Sequence, residues 1–432
     1  MASSVYPDRA AIESAQLEQL RELAAELIPA NKFYTQKLEA VGVGFDVASL
    51  ADFSKRFPFT TKSELVSDQL AHPPFGTNQT YPLNRYPRYH QTSGTSGTPL
   101  RWLDTPENWE SMMENWAEIF GAAGVAAGDR IMFAFSFGPF IGFWLAFETA
   151  ARLGCLCLPG GGLSSAARLR MMRDNHANVL CCTPTYAIRL AEVAATEKIE
   201  TKTLGVKTII VAGEPGGSIP AARAKLESLW PGARVFDHHG MTEVGPVTFE
   251  CPKQPGVLHV IESAYYAEVM DPATGQPAQS GELILTTLGR VGSPLLRYRT
   301  GDLVKLGGRP STLDPQPCLC GRHNLALEGG ILGRVDDMVI VRGVNVYPSA
   351  VEEIIRRFSD VAEYCVHVSG AAALVELRVE IEPSDFCRDE SDLVVGVQRA
   401  LETAFNLRIP VEAVAPGALP RFEMKARRWV KS

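Results

Sequence analysis

The chain has 432 residues, of which 46% are hydrophobic and 21% are charged, so it is long enough for two or three domains around a large core. A formal net charge of −7 without a basic block argues against a nucleic-acid-binding surface. Nine scattered cysteines without a disulfide framework favour a reducing, cytoplasmic setting, and the N-terminus lacks the basic start and apolar segment of a signal peptide.

Thr105-Pro106, an N-cap residue followed by proline, predicts a helix to about Phe120. The stretch 131–147 then runs 17 residues without a charge, just short of the roughly 20 that span a bilayer. It contains two glycines, a proline and a serine. We therefore interpret it as a buried strand, an aromatic-lined turn and the start of a buried helix rather than as a membrane span.

Short apolar runs such as "RIMFAFSF", "NVLCCTP" and "VKTIIVAGEP" alternate with helical stretches, which predicts βαβ crossovers and a mostly parallel sheet. From residue 258 alternating segments with turn residues predict antiparallel strands, and 305–317 is a loop by composition. After about residue 333 a smaller unit is predicted, with strands at "DMVIVRG", "AEYCVHVSG" and "ALVELRVEIE" and helices at "PSAVEEIIRRF" and 391–405.

The segment "HQTSGTSGTPLRW" (90–102) is rich in hydroxyl side chains and glycine. Such a loop can surround phosphate oxygens, because glycine permits the turn and the donors converge. It is not a Walker A motif, since threonine and proline follow its second glycine where that motif has Lys-Ser/Thr. Taken alone, it is more often a plain surface turn.

Four further segments carry candidate chemistry. A glycine-rich turn, "VAGEPGGSIP", follows a predicted strand, where α/β proteins bind ligands. "DHHGMTEVG" carries a hydroxyl beside a carboxylate, "LLRYRTGDLV" carries an aspartate on a turn, and "GRVDDMVIVRG" clusters arginine and aspartate. Each has a simpler alternative: Glu243 as a solvated loop carboxylate, Asp302 as a turn cap, and Arg334 with Asp336 as a surface ion pair.

Together and in this order, the segments resemble the adenylate-forming superfamily of acyl-CoA synthetases, luciferases and peptide-synthetase adenylation domains. The phenylacetate–CoA ligase family is the closer match, through "FPFTTKSEL" (57–65), "GEP" (213–215), "CLCGR" (318–322), "GRVDDMVIVRGVNVYPSAVEEI" (333–354) and "LPRFEMKA" (419–426). The resemblance implies an α/β fold. A large N-terminal domain (1–333) would combine mixed sheets with a β-rich subdomain, and a small mobile α+β C-terminal domain (334–432) would follow.

The resemblance also implies the ATP site. Family members attack the α-phosphate of ATP with a carboxylate and then transfer the acyl group to a thiol. The catalytic group would be Lys425, Glu243 and Thr242, with Glu243 holding Mg²⁺. The implied ATP-binding residues are Ser93, Gly94, Thr95, Ser96, Gly97, Thr98, Gly213, Glu214, Pro215, Asp237, His238, His239, Gly240, Met241, Thr242, Asp302 and Arg334.

This sequence departs from the family pattern at several positions. Thr98 replaces the lysine that usually ends the phosphate loop, which removes a cation or leaves its role to Arg101. His239 stands where many relatives have tyrosine, and Phe422 and Met424 replace smaller residues near the catalytic lysine. We expect these changes to affect substrate choice and efficiency more than the class of reaction.

A cluster of four aromatic residues between positions 135 and 144 is the predicted pocket for the carboxylic acid. Aromatic side chains suit a flat aryl or arylacetic acid, and no basic residue offers a partner for a second carboxylate, so a monoacid is favoured. An ordinary aromatic core is the alternative for each member of this cluster. The predicted pocket residues are Phe135, Phe137, Phe140 and Trp144.

The sequence also suggests a structural zinc site. Structural Zn²⁺ takes four Cys or His ligands, and "ECPKQPGVLH" and "PCLCGR" supply a thiolate with an imidazole and two thiolates. His323 is a competing ligand. Some relatives carry a bound zinc at similar positions. The predicted ligands are Cys251, His259, Cys318 and Cys320.

The resulting prediction is an ATP-dependent ligase that activates a carboxylic acid and transfers it to CoA. The implied hinge between domains is Asp336, and Gly343 matches the glycine that lets pantetheine pass in thioester-forming relatives. An amine or a carrier-protein thiol as acceptor, and a nucleotide-binding protein with degraded catalysis, remain alternatives. The expected partners are a small carboxylic acid, ATP, CoA, Mg²⁺ and Zn²⁺, with no nucleic acid and no membrane; the interpretation allows a homodimer.

Overall fold

The computed structural model describes residues 6–92, 98–307, 317–342, 344–370, 375–422 and 425–431, with the side chain of Phe143 excluded. The helices are α1 (Arg9–Leu27), α2 (Lys32–Ala40), α3 (Leu50–Arg56), α4 (Lys62–Ala71), α5 (Pro106–Ala122), α6 (Ile141–Arg152), α7 (Ser165–Asp174), α8 (Pro184–Thr196), α9 (Pro220–Leu229), α10 (Pro348–Arg356) and α11 (Glu390–Phe405). Short 3-10 helices cover Leu83–Arg85 and Thr201–Leu204.

The strands are β1 (Arg88–Gln91), β2 (Arg101–Asp104), β3 (Arg130–Phe133), β4 (Leu156–Pro159), β5 (Val179–Cys182), β6 (Thr208–Val211), β7 (Arg234–Asp237), β8 (Gly240–Met241), β9 (Gly245–Pro246), β10 (Thr248–Glu250), β11 (Val257–Val260), β12 (Tyr265–Met270), β13 (Ser280–Thr287), β14 (Tyr298–Lys305), β15 (Ala326–Glu328), β16 (Gly333–Arg334), β17 (Val339–Val341), β18 (Val344–Val346), β19 (Val361–Ser369), β20 (Glu376–Pro383), β21 (Val411–Ala413) and β22 (Trp429–Lys431).

Local sequence explains where several helices begin. α4 starts with a capping box, in which the Thr61 hydroxyl accepts from the Glu64 amide and the Glu64 carboxylate accepts from the Thr61 amide. α5 and α8 each begin with a capping threonine followed by proline, whose missing N–H is one that a first helical turn leaves unpaired anyway. These signals fix the ends of the helices that carry site residues.

The first compact unit comprises residues 1–161 and 237–330. β1 and β2 form an antiparallel hairpin, β3 and β4 pair in parallel, and β8 and β9 form a second short hairpin. β10, β11 and β15 form one antiparallel sheet, and β12, β13 and β14 form part of another. Helices α1 to α3 enclose an apolar cluster that includes Leu20, Leu23, Tyr34, Phe53 and Phe57.

The second compact unit comprises residues 162–236 and 331–432. β5, β6 and β7 lie side by side, and β5 and β6 pair in parallel. In the C-terminal segment of this unit (residues 331–432) the strand order is β21-β20-β19-β22. The central pair is antiparallel and the two outer pairs are parallel. The buried residues of its core all lie between Val339 and Val411, so this segment has a core of its own.

Several sequence predictions are confirmed. Thr105 caps α5, and the 131–147 stretch contains most of β3 and the start of α6. The pairs β11–β15, β12–β13 and β13–β14 are antiparallel, as predicted for the region after residue 257. The predicted loop at 305–317 lies partly outside the described residues. The domain boundary at 333/334 stays a prediction. Within the described part of the chain, no helix combines the length and the apolar character needed to cross a bilayer.

Candidate active site

The hydroxyl-rich loop is closed at its base by the β1–β2 hairpin. Beyond that hairpin, the Thr92 amide donates to the Leu100 carbonyl and the Leu100 amide donates to the Thr92 hydroxyl, both at 3.0 Å. Thr98 is exposed, and the Arg101 guanidinium donates to the Pro74 carbonyl at 2.9 Å. The rest of the loop lies outside the described residues: Ser93, Gly94, Thr95, Ser96 and Gly97.

Glu243 lies in the turn between β8 and β9 and is only 4% exposed. Its Oε1 atom lies 3.2 Å from the Lys62 Nζ atom and accepts a hydrogen bond from the Tyr298 hydroxyl at 3.5 Å. Thr242 precedes it and is half-buried. Carboxylate and hydroxyl oxygens are the hard ligands that Mg²⁺ takes, so this donor set fits the metal that the resemblance implies.

The turn that carries Glu243 is held by a buried arginine. Arg290 donates to the carbonyls of Thr242 and Glu243 at 2.9 and 2.8 Å. The same guanidinium makes a bidentate pair with Asp104, with both bonds at 2.7 Å. Arg290 also holds the pKa of the buried Asp104 carboxyl below its usual value, against the opposing effect of burial. This pair fixes the backbone that presents Thr242 and Glu243.

Asp302 lies on β14 and is 4% exposed. Its Oδ2 atom lies 2.8 Å from the His239 Nε2 atom, and its amide donates to the Thr300 hydroxyl. The His239 amide in turn donates to the Thr248 hydroxyl at 2.8 Å. The histidine that replaces the usual tyrosine therefore contacts Asp302, a carboxylate that the resemblance implies to be part of the ATP site.

The residues around His239 are closely packed. Asp237 ends β7, and His238 is buried with its ring edge against Trp116 at 4.5 Å between centroids. Burial lowers the pKa of His238 to about 3, so its imidazole is neutral at physiological pH. A Cβ atom at Gly240 would lie 2.8 Å from the Gly245 carbonyl oxygen, so only glycine fits there. Met241 follows in β8.

In the second unit, Gly213, Glu214 and Pro215 follow β6. Gly213 has φ = +94°, and a Cβ atom there would lie 3.3 Å from the Cε atom of Lys425. The predicted catalytic lysine is thus beside the predicted nucleotide-binding turn. This proximity joins two segments that are more than 200 residues apart in the chain.

Arg334 ends β16, and its Nε atom donates to Asp336 at 3.0 Å in a largely exposed ion pair. This geometry matches the simpler alternative for the two residues, and their nucleotide and hinge roles stay predictions. Gly343 lies outside the described residues.

The predicted aromatic cluster lies between β3 and α6. Phe135 and Phe137 have ring centroids 5.6 Å apart, and Phe137 contacts Trp144 edge-on at 5.1 Å. The Trp144 indole donates to the Gly138 carbonyl at 2.9 Å, and this ring is 39% exposed. Phe140 is half-buried at the N-cap of α6. Three of these four rings therefore lie at least partly open to solvent.

Cys251, His259, Cys318 and Cys320 come together, with one candidate ligand atom from each within 4.8 Å of the others. Cys251 Sγ lies 3.5 Å from Cys318 Sγ, and Cys320 Sγ lies 3.5 Å from His259 Nε2. A tetrahedral zinc with Zn–S bonds of about 2.3 Å places neighbouring ligand atoms roughly 3.8 Å apart. The arrangement fits that ion, and His323 is not a member of the group.

Local structure explains this convergence. Cys251 follows β10 and His259 lies on β11, two strands that pair with each other. Cys318 and Cys320 lie in a tight turn, in which the Cys318 carbonyl accepts from the Gly321 amide at 2.7 Å. Burial lowers the pKa of His259 to about 4, which favours the neutral imidazole that a metal requires.

The sequence reasoning missed Lys62, Arg290 and Asp104. Lys62 lies within "FPFTTKSEL", a segment that indicated the family but no role for the lysine. Nothing in the neighbouring sequence indicates that Lys62 contacts Glu243. Arg290 and Asp104 are 186 residues apart, and a lone charge of each sign gives no indication of a buried pair.

Residues 90–289 match the AMP-binding enzyme family, and residues 343–432 match the AMP-binding enzyme C-terminal domain. The chain is 31% identical over 441 residues to the phenylacetate-coenzyme A ligase of Thermus thermophilus, covering 96% of this chain and 95% of the relative. It is similar to a 2-hydroxyisobutyryl-CoA ligase in the postadenylation state with 2-HIB-AMP, at a TM-score of 0.92 and 30% identity, covering 100% and 93% of the two chains. The thioesterification-state structure of that ligase gives a TM-score of 0.72 at 30% identity, covering 98% and 90%.

Proposed function

Because this chain belongs to the phenylacetate-coenzyme A ligase family of AMP-binding enzymes, we propose that it activates an aryl or arylacetic monoacid with ATP and transfers the acyl group to CoA. In the first step a carboxylate oxygen attacks the α-phosphorus, the bond to the β-phosphate oxygen breaks, and pyrophosphate leaves. In the second step the CoA thiolate attacks the acyl carbon and AMP leaves with the electron pair of the broken C–O bond. The enzyme is an AMP-forming acid–thiol ligase.

The single observation that carries the assignment of roles is the position of Lys425 beside Gly213. An ammonium group at the nucleotide-binding turn can bridge the substrate carboxylate and the α-phosphate as negative charge develops there. We assign Lys425 this role and Glu243 with Thr242 the Mg²⁺ and α-phosphate contacts. Mg²⁺, when bound, would neutralise phosphate charge.

Lys62 is proposed as a further cation at the phosphates, since its ammonium group pairs with Glu243 at 3.2 Å. It compensates for Thr98, which stands where the family has lysine. Asp302 would accept hydrogen bonds from the ribose, with His239 holding its carboxylate. These roles make the first unit responsible for metal and ribose binding.

The proposed acid class rests on the aromatic cluster of Phe135, Phe137, Phe140 and Trp144. Flat aryl groups pack well against such rings. The relatives allow other acids, because one is named for phenylacetate and another for 2-hydroxyisobutyrate.

The test is a panel of arylacetic, benzoic, short hydroxy and dicarboxylic acids, scored for pyrophosphate release with and without CoA. We expect the highest kcat/KM with an aryl or arylacetic monoacid, and AMP and acyl-CoA only when CoA is added. A clear preference for a short aliphatic acid would contradict the aromatic pocket. Absence of acid-dependent pyrophosphate release would contradict the reaction itself.

We also propose that Cys251, His259, Cys318 and Cys320 bind one structural Zn²⁺, in a cytoplasmic protein whose thiols stay reduced. Four protein ligands would leave no open position for substrate, so the ion would tie β10 and β11 to the Cys318–Arg322 turn. Size-exclusion chromatography with light scattering would test whether the protein forms the homodimer that the sequence interpretation allows.

Metal analysis of protein purified without chelators or nickel resin tests the zinc site. We expect about one equivalent of zinc in the wild type and in a Cys155→Ser/Cys157→Ser control, a Cys-x-Cys pair outside the cluster. Cys318→Ser/Cys320→Ser should lose the metal and lower the thermal midpoint. Zinc below about half an equivalent in wild type, or unchanged zinc in the variant, would contradict the site.

A further inference from the structure

The Glu214 carboxylate joins two segments of the second unit. Its Oε1 atom accepts from the Thr185 amide at 2.9 Å, and its Oε2 atom accepts from the Ala426 amide at 2.7 Å. Ala426 directly follows Lys425. One carboxylate therefore spans from the first turn of α8 to the backbone of the segment that carries the lysine.

The α8 end of this bridge is well anchored. The Thr183 hydroxyl caps the Tyr186 amide, which leaves the Thr185 amide among the donors that a first helical turn cannot pair internally. Glu214 pairs this donor, and its negative charge is favourable at the positive end of the helix. The carboxylate is thus fixed independently of the C-terminal segment.

The lysine segment is held again three residues further on. Arg428 is 9% exposed and makes a bidentate pair with Glu363 at 2.6 and 3.1 Å. Its Nη1 atom also donates to the Thr185 hydroxyl at 3.3 Å. The backbone that follows Lys425 therefore has two attachment points near Thr185, at Ala426 and at Arg428, and the Ala426 bond to Glu214 is the one next to the lysine.

We propose that Glu214 is a positioning residue for Lys425 in the acyl-adenylate-forming half-reaction. Bonds from amide N–H groups to an ionised carboxylate are stronger than neutral ones, so the Ala426 bond restricts the backbone next to the lysine. This inference rests on the proposed role of Lys425. It differs from the sequence expectation for Glu214, which the resemblance implied to be an ATP-binding residue.

The bond should matter in one half-reaction. It exists only while Ala426 lies against the turn after β6. The related 2-hydroxyisobutyryl-CoA ligase gives TM-scores of 0.92 and 0.72 in its postadenylation and thioesterification states, so that enzyme changes its arrangement between the steps. An arrangement without the Ala426 contact gains nothing from Glu214.

The experiment compares Glu214→Gln with wild type in two assays: acid-dependent pyrophosphate release, and acyl-CoA formation from preformed acyl-adenylate and CoA. Glutamine keeps the size of the side chain, but its single carbonyl oxygen cannot repeat both charged contacts. We expect adenylation kcat to fall about tenfold or more, with the KM for ATP changed less than about threefold. Thioester formation should stay within about twofold of wild type.

Glu192→Gln is the matched control. Glu192 lies on α8 and pairs with Arg421, four residues before the lysine in sequence, at 3.5 Å, and it accepts no bond from the Ala426 amide. We expect near-wild-type rates in both assays. Equal losses in both half-reactions for Glu214→Gln would indicate a general folding defect, and a raised KM for ATP with unchanged kcat would indicate a nucleotide contact; either result overturns the inference.

A double-variant cycle separates this inference from the proposed function. If Glu214 acts through Lys425, Glu214→Gln should cost nothing further in a Lys425→Ala background. Loss of adenylation in Lys425→Ala but not in Glu214→Gln would overturn the inference and leave the function intact.

Hydrogen exchange of the segment after Lys425 tests the bridge without an activity assay. Glu214→Gln should speed the exchange of these amides, and unchanged exchange would contradict the bridge. Should the Gln variant not fold, Glu214→Asp serves in the same assays, because its shorter side chain cannot reach both amides.

Discussion

At the scale of single residues, the pairing of Lys62 with Glu243 changes how the phosphate site is understood. The carboxylate is buried, and the ammonium 3.2 Å away is 40% exposed. A cation from α4 can therefore face the same phosphates as the metal that Glu243 would hold. In the proposed site, the Lys62 ammonium would supply the positive charge that the phosphate loop lacks at Thr98.

Lys62→Met tests this role. We expect adenylation kcat to fall about tenfold or more, because a positioned cation that meets developing phosphate charge is lost. Pyrophosphate release measured across ATP and Mg²⁺ concentrations would show it. Lys55→Met, at an exposed lysine of α3, is the control and should change neither constant. Unchanged kinetics in the Lys62 variant would remove this residue from the site.

The residue scale also shows what sequence can and cannot predict. The resemblance named Glu243, Asp302 and Lys425 because each lies in a short, recognisable segment. The roles of Lys62 and Arg290 were not predicted, because their partners lie far along the chain and only the folded backbone brings them together. The contact between His239 and Asp302 escaped for the same reason, although both residues were named.

At the scale of elements, helix α9 connects the middle of the chain with the C-terminal segment. The Ala221 amide donates to Glu353 at 2.8 Å, and the Lys225 ammonium donates to the Val361 carbonyl at 2.7 Å. Burial, with a smaller effect from Arg356, lowers the pKa of Lys225 to about 8. The charged lysine is therefore costly in this position.

Stability should consequently rise with pH above about 8. Below that value Lys225 is protonated in both states, and its charge opposes folding by about 3 kcal/mol. Between about 8 and 10.5, the ordinary pKa of lysine, the unfolded state binds more protons than the folded state, so the free energy of unfolding increases with pH. Other charges that act on Lys225 are those of Glu363, Glu192 and Glu352.

Denaturant midpoints at pH 7 and pH 10 check this for wild type, Lys225→Met and Lys207→Met, the last being an exposed lysine of the same unit. The upward change in midpoint should be smaller in the Lys225 variant than in the other two proteins. Parallel pH dependence in all three would show that Lys225 does not titrate in this range.

Element boundaries were predictable where the signal was local. The N-cap signal of α5 and the alternating segments of β12 and β13 each lie in consecutive residues, and all three elements are present there. The convergence of the four zinc-site side chains needed the resemblance as well as spacing, because the two pairs come from turns about 60 residues apart.

At the scale of the whole molecule, the proposed mechanism has the C-terminal segment serve two chemical steps. Asp336 lies just after β16 at the start of that segment, and its side chain pairs with Arg334 in an exposed position. A few residues at element ends absorb the backbone change of a hinge. The hinge at Asp336 and the domain boundary at 333/334 are therefore predictions that a substitution at Asp336 can test.

Asp336→Pro would restrict φ at that position. We expect one half-reaction to be impaired far more than the other, measured as pyrophosphate release and as acyl-CoA formation from acyl-adenylate. Asp336→Ala is the control, since it removes the ion pair but leaves the backbone free. Equal losses in both steps, or the same result for proline and alanine, would argue against a hinge.

The apolar cluster of the C-terminal segment, whose buried members lie between Val339 and Val411, has an evolutionary consequence. A segment that packs its own interior can be exchanged between relatives as a cassette, provided that its contacts with α8 and α9 are kept. The aromatic cluster lies outside this cassette, whereas Lys425 lies within it. With the proposed roles, substitutions in the aromatic cluster would change the choice of acid, and substitutions in the C-terminal segment would change how Lys425 acts in adenylation. The two traits could therefore evolve independently.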